Sequence, residues 1–261
     1  MQNLIPRSSL YLCIRGACIK LLTGKEHKEK ELRMRIMAVE TLKELKKTFT
    51  YKELSSMLDI QESLLCRYTN GATIPSELQA REILGKVKTD DFIFKFFKDK
   101  ISIYDDNFVD TSKILFYPNL LTIVVLSTLE KASAIDEVDK VITPAVNGIA
   151  LGAMAAYILR RPLIVVKKYK ESTYVDYYEE SVREVNSMVS TFYLRKDLIE
   201  KGDRVLVVDD VVRSGKTVRA LVSLVNRSGA SVVGVLALIG VGRGWQDGLR
   251  DVKNVKVILR L

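Results

Sequence analysis

The chain has few of the residues that build disulfide frameworks and metal centres. Its 261 residues include five prolines, one tryptophan, three cysteines and one histidine, His27. The cysteines are odd in number and scattered, at Cys13, Cys18 and Cys66. They fit neither a disulfide framework nor a zinc site, so we expect a reducing, cytoplasmic environment and no metal centre built by the protein.

Long apolar runs are also missing. No stretch approaches the ~20 apolar residues of a membrane span. The apolar segment 10–22 is interrupted by Arg15 and Lys20 and has no clean small-residue cleavage site, which argues against a signal peptide. A length of 261 residues predicts one or two globular domains with no membrane partner.

Basic residues exceed acidic ones, with a net charge of +9. Residues 1–100 hold 19 Lys and Arg against 13 Asp and Glu, and so carry a net +6. This asymmetry predicts that the N-terminal third faces a polyanion such as DNA. The alternative is a lysine-rich surface that serves only solubility or thermal stability.

The most informative segment is 205–217, in which four apolar residues lead into Asp209 and Asp210. A loop of small residues follows, and an apolar-periodic segment begins at Val218. This pattern predicts a buried strand, a phosphate-sized turn and the start of a helix. Free amides at a helix N-terminus bind phosphate, and carboxylates accept hydrogen bonds from vicinal hydroxyls, so a ligand with a phosphate and a ribose diol fits. A Walker A loop is excluded, because Asp210 stands where its first glycine is required.

The segment resembles the phosphoribosyl pyrophosphate (PRPP) signature of type I phosphoribosyltransferases, and the resemblance extends over about residues 105–260. It implies that Asp209 and Asp210 hold the ribose 2′- and 3′-hydroxyls. It further implies a 5′-phosphate cradle formed by Arg213, Ser214, Gly215, Lys216 and Thr217. Arg213 departs from the threonine usual in the family, but a cation there can still pair with phosphate.

Two further segments match the pyrophosphate contacts of that family. The turn after the first strand would contribute Ala145, Val146, Asn147 and Gly148, of which Gly148 suits the close approach of an anion. Lys167 and Lys168 resemble the basic pair of orotate phosphoribosyltransferases. A plain strand–helix loop and a solvated charge run are the respective alternatives.

Strands alternate with helices from Val138 onward, which predicts a mainly parallel sheet with ligands at the strand C-termini. Strands are predicted at 138–143, 162–166, 203–208 and 231–239, with a helix at 149–159. The fold class is therefore α/β, a type I phosphoribosyltransferase-like parallel sheet, preceded by an N-terminal all-α domain.

The segment 171–189 contains no glycine and no histidine, unlike the mobile loop of orotate enzymes. Its tyrosine and valine content predicts a β-hairpin. It resembles the corresponding part of bacterial purine-operon repressors, which bind PRPP without transferring it. The family places nucleobase contacts near 240–248, where Arg243 and Trp245 are candidates and ordinary loop packing is the alternative. The glycines of that loop do not satisfy a dinucleotide fingerprint, because residue 245 is Trp and no helix clearly follows.

Short amphipathic helices are predicted in the N-terminal third. A helix at 32–48 precedes Thr50, which with Glu53 forms a capping box for a helix at 51–58. Asp59 and Ile60 make a tight turn, a second short helix covers 61–69, and Asn70-Gly71 ends it. Leu64, Leu65 and Tyr68 are expected to face inward.

This arrangement resembles a helix-turn-helix of the Cro/Xre type, whose second short helix enters the major groove. The resemblance implies DNA contacts from Lys52, Gln61, Glu62, Ser63, Arg67 and Asn70, with Cys66 also facing outward. A small helical domain for dimerisation or docking is the alternative.

We predict an N-terminal extension at 1–30 (a flexible arm or an added helix), a helix-turn-helix domain at 31–85, a linker at 86–104 and a PRPP-binding domain at 105–261. The linker holds an aromatic cluster at Phe92, Phe94, Phe96 and Phe97. This cluster suits domain docking or core packing better than stacking against the bases of a single-stranded nucleic acid.

The whole pattern resembles archaeal orotate-phosphoribosyltransferase-like transcriptional regulators, the GfcR family. This implies a homodimer that binds operator DNA and senses PRPP, or a related phosphoribosyl ligand, through a non-catalytic domain, with Mg²⁺ as a possible companion of PRPP. One alternative is an active phosphoribosyltransferase of orotate or purine type. Another is a docking protein with a vestigial pocket.

Overall fold

The computed structural model describes residues 11–14, 17–20, 24–105, 108–131, 137–183 and 188–261. The chain divides into two compact units, Met1–Val87 and Lys88–Leu261. Within the described residues, no helix has both the length and the apolarity needed to cross a bilayer.

The N-terminal unit begins with a two-stranded antiparallel sheet, β1 (Tyr11–Ile14) and β2 (Ala17–Lys20). The predicted arm or helix at 1–30 is thus replaced by strands in its middle part, while residues 1–10, 15–16 and 21–23 lie outside the described range. Four helices follow: α1 (Gly24–Lys46), α2 (Tyr51–Leu58), α3 (Glu62–Thr69) and α4 (Glu77–Val87).

Helix α1 begins eight residues before the predicted start, at Gly24 rather than residue 32. Its first turns are polar, and the apolar period therefore gives no sign of them. They carry the i,i+4 ion pairs Arg33–Glu29 (2.8 Å) and Arg35–Glu31 (3.2 Å), which support a helix on an exposed surface.

The caps and turns that bound α2 and α3 lie at the residues that the sequence predicts. Thr50 and Glu53 form the reciprocal capping box, with Glu53 N donating to Thr50 Oγ1 at 3.2 Å and Thr50 N donating to Glu53 Oε2 at 2.7 Å. Asp59 ends α2 in the left-handed region at φ 56°, and Gly71 takes φ 75° after α3. Leu65 and Tyr68 are buried as expected, and Leu64 is partly buried.

The segment predicted as a linker contains helix α5 (Asp90–Phe97). Ile93, Phe96 and Phe97 are buried, and the Phe96 ring meets the Tyr117 ring edge-on at 5.0 Å between centroids. The aromatic cluster therefore packs a core rather than crossing solvent, although Phe94 stays 44% exposed. Two short antiparallel strands, β3 (Ser102–Ile103) and β4 (Val109–Asp110), and helix α6 (Pro118–Glu130) follow.

Five strands of the C-terminal unit form a parallel sheet in the order β11-β10-β9-β5-β6, which confirms the α/β prediction. The strands are β5 (Lys140–Pro144), β6 (Leu163–Val166), β9 (Arg204–Val212), β10 (Ser231–Gly240) and β11 (Val255–Arg260). Helices α7 (Gly148–Leu159), α8 (Lys216–Arg227) and α9 (Gly244–Gly248) connect them.

Helices α7 and α8 cover opposite faces of the sheet. Ile142 belongs to the core that includes Leu221 and Leu224 of α8. The next residue, Thr143, lies against Gly148 and Gly152 of α7. Successive side chains of a strand point to opposite faces, so α8 packs on one side and α7 on the other.

A β-hairpin is present, as predicted, but it runs over 177–195 rather than 171–189: β7 (Tyr177–Arg183) and β8 (Val189–Arg195) form an antiparallel pair. It lies along α8, where Ser223 Oγ donates to Glu180 Oε2 at 2.9 Å and Arg227 Nη1 donates to the Glu179 carbonyl at 2.5 Å. Residues 184–187, between the two strands, lie outside the described range.

Candidate functional site

Sheet order brings the three predicted ligand segments to one edge. Strand β5 lies between β9 and β6, and all three run parallel. The C-terminal ends of parallel strands meet at the same edge, about 4.8 Å apart from strand to strand. The loop after β9, the loop after β5 and the lysines after β6 are therefore side by side, at the usual ligand position of an open α/β sheet.

The two adjacent carboxylates lie near the end of β9, where Asp209 is buried and Asp210 is partly buried. Asp209 is 4% exposed, and one of its oxygens accepts a hydrogen bond from the Asp210 amide at 2.9 Å. Burial raises the pKa of Asp209 well above its usual range, and the charge of Asp210 adds to the rise, while the Lys168 ammonium lowers it. Burial also raises the pKa of Asp210. Acids whose ionised form is disfavoured in this way are typical of a binding site rather than of a stabilising ion pair.

The turn after the acids ends directly at the start of α8. Gly215 is buried at φ 73° and stands at the N-cap position, where its left-handed backbone points the chain into the helix. Ser214 Oγ accepts a weak bond from the Lys216 amide at 3.5 Å. The predicted cradle thus consists of amides at the N-terminus of a twelve-residue helix, the part of a helix that attracts anions.

The Lys216 side chain points away from this cradle. Its ammonium donates to the Arg183 carbonyl at the end of β7, at 2.9 Å. Only the backbone of Lys216 is therefore available for the predicted phosphate contact. The side chain instead ties the start of α8 to the hairpin.

The loop after β5 has the features of a close-approach turn. Gly148 is buried, and a Cβ there would lie 2.5 Å from Thr143 Oγ1, so only glycine fits. Val146 and Asn147 are exposed, and the peptide bond between Ala145 and Val146 is cis. The Ala145 amide is occupied by the Val166 carbonyl at 2.8 Å, which leaves the amides further along the loop to meet an anion.

Two of the lysines after β6 are already paired. Lys167 contacts Glu171, and this hydrogen bond raises the pKa of the lysine. Lys170 contacts Glu179 at 2.6 Å, with the same effect on its pKa. Lys168 is exposed, and its charge acts on Asp209. Of the predicted pair, Lys168 is thus the better placed to meet a ligand.

The sequence did not predict helix α9, and so it did not predict that α9 packs against the predicted phosphate loop. A Cβ on Gly248 would come well inside 3.0 Å of the Ser214 carbonyl oxygen, and one on Gly215 would lie 2.8 Å from Leu249 Cγ. Gly244 packs similarly against the Arg213 carbonyl, at 3.2 Å for a built Cβ. The sequence signal that could have indicated this packing was the pair of glycines at 244 and 248. Trp245 is buried, not an exposed base contact.

In the N-terminal unit, the residues predicted to contact DNA are all exposed: Lys52, Gln61, Glu62, Ser63, Arg67 and Asn70. Cys66 is half-buried and accepts a hydrogen bond from Asn70 Nδ2 at 3.2 Å. Lys52 stands on α2 and the others on α3 and its flanks, while Leu65 and Tyr68 face the core. Their exposure is what a reading helix requires, but it is equally compatible with another exposed helical surface.

Known proteins resemble the C-terminal unit. The family model of the phosphoribosyl transferase domain matches residues 127–259. An HGPRTase-like protein of Halobacterium salinarum is 36% identical over 124 residues, which is 47% of this chain and 62% of the relative. Xanthine phosphoribosyltransferase of Lactobacillus delbrueckii is 37% identical over 113 residues, 42% of this chain and 59% of the relative. The chain spans about three fifths of the length of these curated relatives.

Among solved structures, adenine phosphoribosyltransferase of Rhodothermus marinus matches with a TM-score of 0.58 and 29% identity, over 66% of this chain and 99% of that one. Together, the parallel sheet, the acid pair before a helix N-terminus and the family match define the class. The chain belongs to the phosphoribosyl transferase domain family.

Proposed function

We propose that the C-terminal unit binds PRPP and transfers its phosphoribosyl group to a purine base. The observation that carries this proposal is the pair Asp209 and Asp210, the first buried and the second partly buried, a short turn before the Gly215-capped N-terminus of α8. Relatives named as xanthine and adenine phosphoribosyltransferases support a purine as acceptor. The sequence favoured a sensor without turnover. Family membership supports its alternative, an active transferase, more directly.

In the proposed reaction the bond from ribose C1 to pyrophosphate breaks, a bond from C1 to a base nitrogen forms, and the base loses a proton. Asp209 and Asp210 would hold the ribose diol, and the amides at the start of α8 would hold the 5′-phosphate. Lys168 and the loop at 145–148 would stabilise the negative charge that develops on the leaving pyrophosphate. Each group is fixed before reaction, on a strand end or a helix start.

A Mg²⁺ ion fits this site as a companion of PRPP. It prefers oxygen ligands and keeps several waters, and substrate phosphates commonly supply part of its shell. Within the described residues, no group of three or more acidic, histidine or cysteine side chains is placed to hold a metal. The substrate oxygens, with one carboxylate of the acid pair, would therefore form the ligand set and lower the charge of the pyrophosphate.

Pyrophosphate release tests this proposal. With PRPP, Mg²⁺ and one base at a time (adenine, guanine, hypoxanthine, xanthine, orotate or uracil), we expect turnover at about 1 s⁻¹ or faster with at least one purine. Release with orotate alone would contradict the purine assignment. PRPP binding by calorimetry without release for any base would establish a non-catalytic sensor instead.

A second function, binding of DNA by the N-terminal unit, is favoured by one specific observation. Two eight-residue helices flank a tight turn at Asp59, and the second carries exposed polar side chains at Glu62, Ser63 and Arg67. Arg67 and Gln61 carry the groups that pair with guanine and adenine edges. A two-fold homodimer would match palindromic half-sites. PRPP would regulate binding only if it favoured one arrangement of the two reading helices.

Replacing Arg67 by Ala is expected to weaken binding to an operator fragment by roughly 5- to 150-fold, the usual range for loss of one bidentate base contact. A mobility-shift titration with genomic fragments, with and without PRPP, gives the measurement. Arg81→Ala is the matched control, because Arg81 is exposed on α4 and already pairs with Glu77 at 2.6 Å. Equal affinities for wild type and Arg67→Ala would remove α3 from the reading surface.

A further inference from the structure

A second cavity lies away from the acid pair, between helices α5 and α6 and the edge strand β11. It encloses about 510 Å³, within the range of roughly 300–1,000 Å³ typical of small-molecule sites. Its walls combine charged and apolar groups, among them Ile93, Phe94, Lys256, Ile258 and Arg260.

Strand alternation decides which β11 side chains face this cavity. Val255 and Val257 pack against the core under α8. Successive side chains point to opposite faces, so Lys256 and Ile258 point to the α6 side, where the cavity lies, and Arg260 at the end of the strand also lines the cavity. One strand thus presents an apolar side chain between two cations.

The charges around the cavity are unequally neutralised. Lys88 pairs with Glu130 at 3.4 Å, and Lys131 pairs with Asp90 at 3.7 Å. For the described part of the chain, neither Lys256 nor Arg260 has an ion-pair partner. The guanidinium of Arg260 lies 5.7 Å from the centre of the Trp245 ring, a cation–π contact that does not neutralise its charge.

On the α5 side, the cavity is lined by the apolar residues Ile93 and Phe94. Phe94 is 44% exposed although its neighbours Ile93, Phe96 and Phe97 are buried. An exposed aromatic ring that lines the same cavity as an apolar strand residue and two cations without ion-pair partners suits a ligand that has both a flat ring and an anionic group.

We propose that this cavity is a second ligand site that takes a nucleotide-like molecule, with its ring between Phe94 and Ile258 and its phosphates on Lys256 and Arg260. The site is distinct from the acid pair. It lies two strands away from β9, on the face of the sheet opposite α8. It depends neither on phosphoribosyl transfer nor on DNA binding.

The probe is ADP carrying an N-methylanthraniloyl group on its ribose hydroxyls. That substitution blocks the diol and so disfavours binding at Asp209 and Asp210, while leaving the ring and the phosphates intact. We expect saturable fluorescence anisotropy with wild type, and at least about tenfold weaker binding for Lys256→Ala combined with Arg260→Ala. Phe94→Ala is expected to weaken binding severalfold through loss of the ring contact.

Two control variants locate the probe. Lys253→Ala removes an exposed lysine just before β11 that does not line the cavity, and is expected to bind as wild type does. Asp209→Asn combined with Asp210→Asn is also expected to retain the probe. Three results would each overturn the proposal. The acid-pair variant could lose the probe, wild type could show no saturable binding, or the Lys256/Arg260 variant could bind as wild type does at an unchanged unfolding midpoint. If the Lys256/Arg260 variant has a lowered midpoint, Lys256→Gln alone must still weaken binding.

Discussion

Replacing Asp209 and Asp210 together by asparagine is expected to weaken PRPP binding by at least about 100-fold and to make the fold more stable. Each carboxylate would lose charge-assisted hydrogen bonds to a ribose hydroxyl, worth about 1.5–3 kcal/mol apiece. Without ligand, however, the two acids are a cost to the fold, because Asp209 is 4% exposed and its negative charge is held away from water beside another carboxylate. Removing that cost is expected to raise the free energy of unfolding by about 1 kcal/mol or more.

Calorimetric titration with PRPP and urea unfolding of the apo-protein provide the two measurements. Asp247→Asn is the control, because Asp247 is an exposed acid of α9 close to the same loop in sequence. It is expected to change neither quantity. A double variant that keeps wild-type PRPP affinity would refute the assignment of the acid pair to the ribose. A double variant that loses stability would mean that the acids support the fold.

The same acids set the sign of the pH dependence of stability. The pKa values of Asp209 and Asp210 are raised in the folded state, so the folded protein retains protons that the unfolded chain releases from about pH 4 upward. Their contribution to stability is fully present below the unfolded pKa and is lost as pH rises through the folded pKa. Urea unfolding from pH 4 to pH 8 is therefore expected to show a smaller decline in the double variant than in wild type.

The local parts of this site were predictable because one stretch of chain encodes them. The strand, the acid pair, the turn and the helix start occupy one continuous stretch, residues 204–227, although β9 runs on to Val212, past the predicted strand end at residue 208. The existence of a hairpin was predictable from β-forming residues without glycine, although the predicted range 171–189 misses nearly all of β8. The capping box of α2 was legible in four residues.

The other parts depend on contacts between distant residues. Lys216 was assigned to phosphate by its place in the loop, but its side chain is held by the Arg183 carbonyl, 33 positions earlier. The segment of helix α5 was predicted as a linker, but Phe96 packs edge-on against Tyr117, which lies 21 positions later in the chain. The apolar pattern alone therefore located the elements but not which groups lie beside the ligand.

The packing of Gly248 against the Ser214 carbonyl, behind the predicted phosphate loop, is the clearest contact between residues distant in sequence. Gly248→Ala is expected to lower PRPP affinity by roughly 100-fold, because a shift of about 1 Å in a binding group costs that much. A methyl group at this position would come closer to the Ser214 carbonyl than real Cβ atoms come to any neighbour, and the atom it meets is backbone. The loop must therefore move, and with it the amides at the start of α8. We also expect a loss of about 1–3 kcal/mol in the free energy of unfolding, the usual cost of overpacking.

Calorimetry with PRPP at a temperature well below the unfolding midpoint separates lost affinity from lost folding. Gly234→Ala is the matched control in the same sheet, because a Cβ there meets its nearest atoms at 3.5 Å, an ordinary contact. It is expected to bind PRPP as wild type does. Gly244→Ala, whose Cβ would lie 3.2 Å from the Arg213 carbonyl, is expected to show an intermediate loss. If Gly248→Ala folds and binds PRPP like Gly234→Ala, the position of α9 does not control the phosphate loop, and the amides of α8 keep their geometry without it.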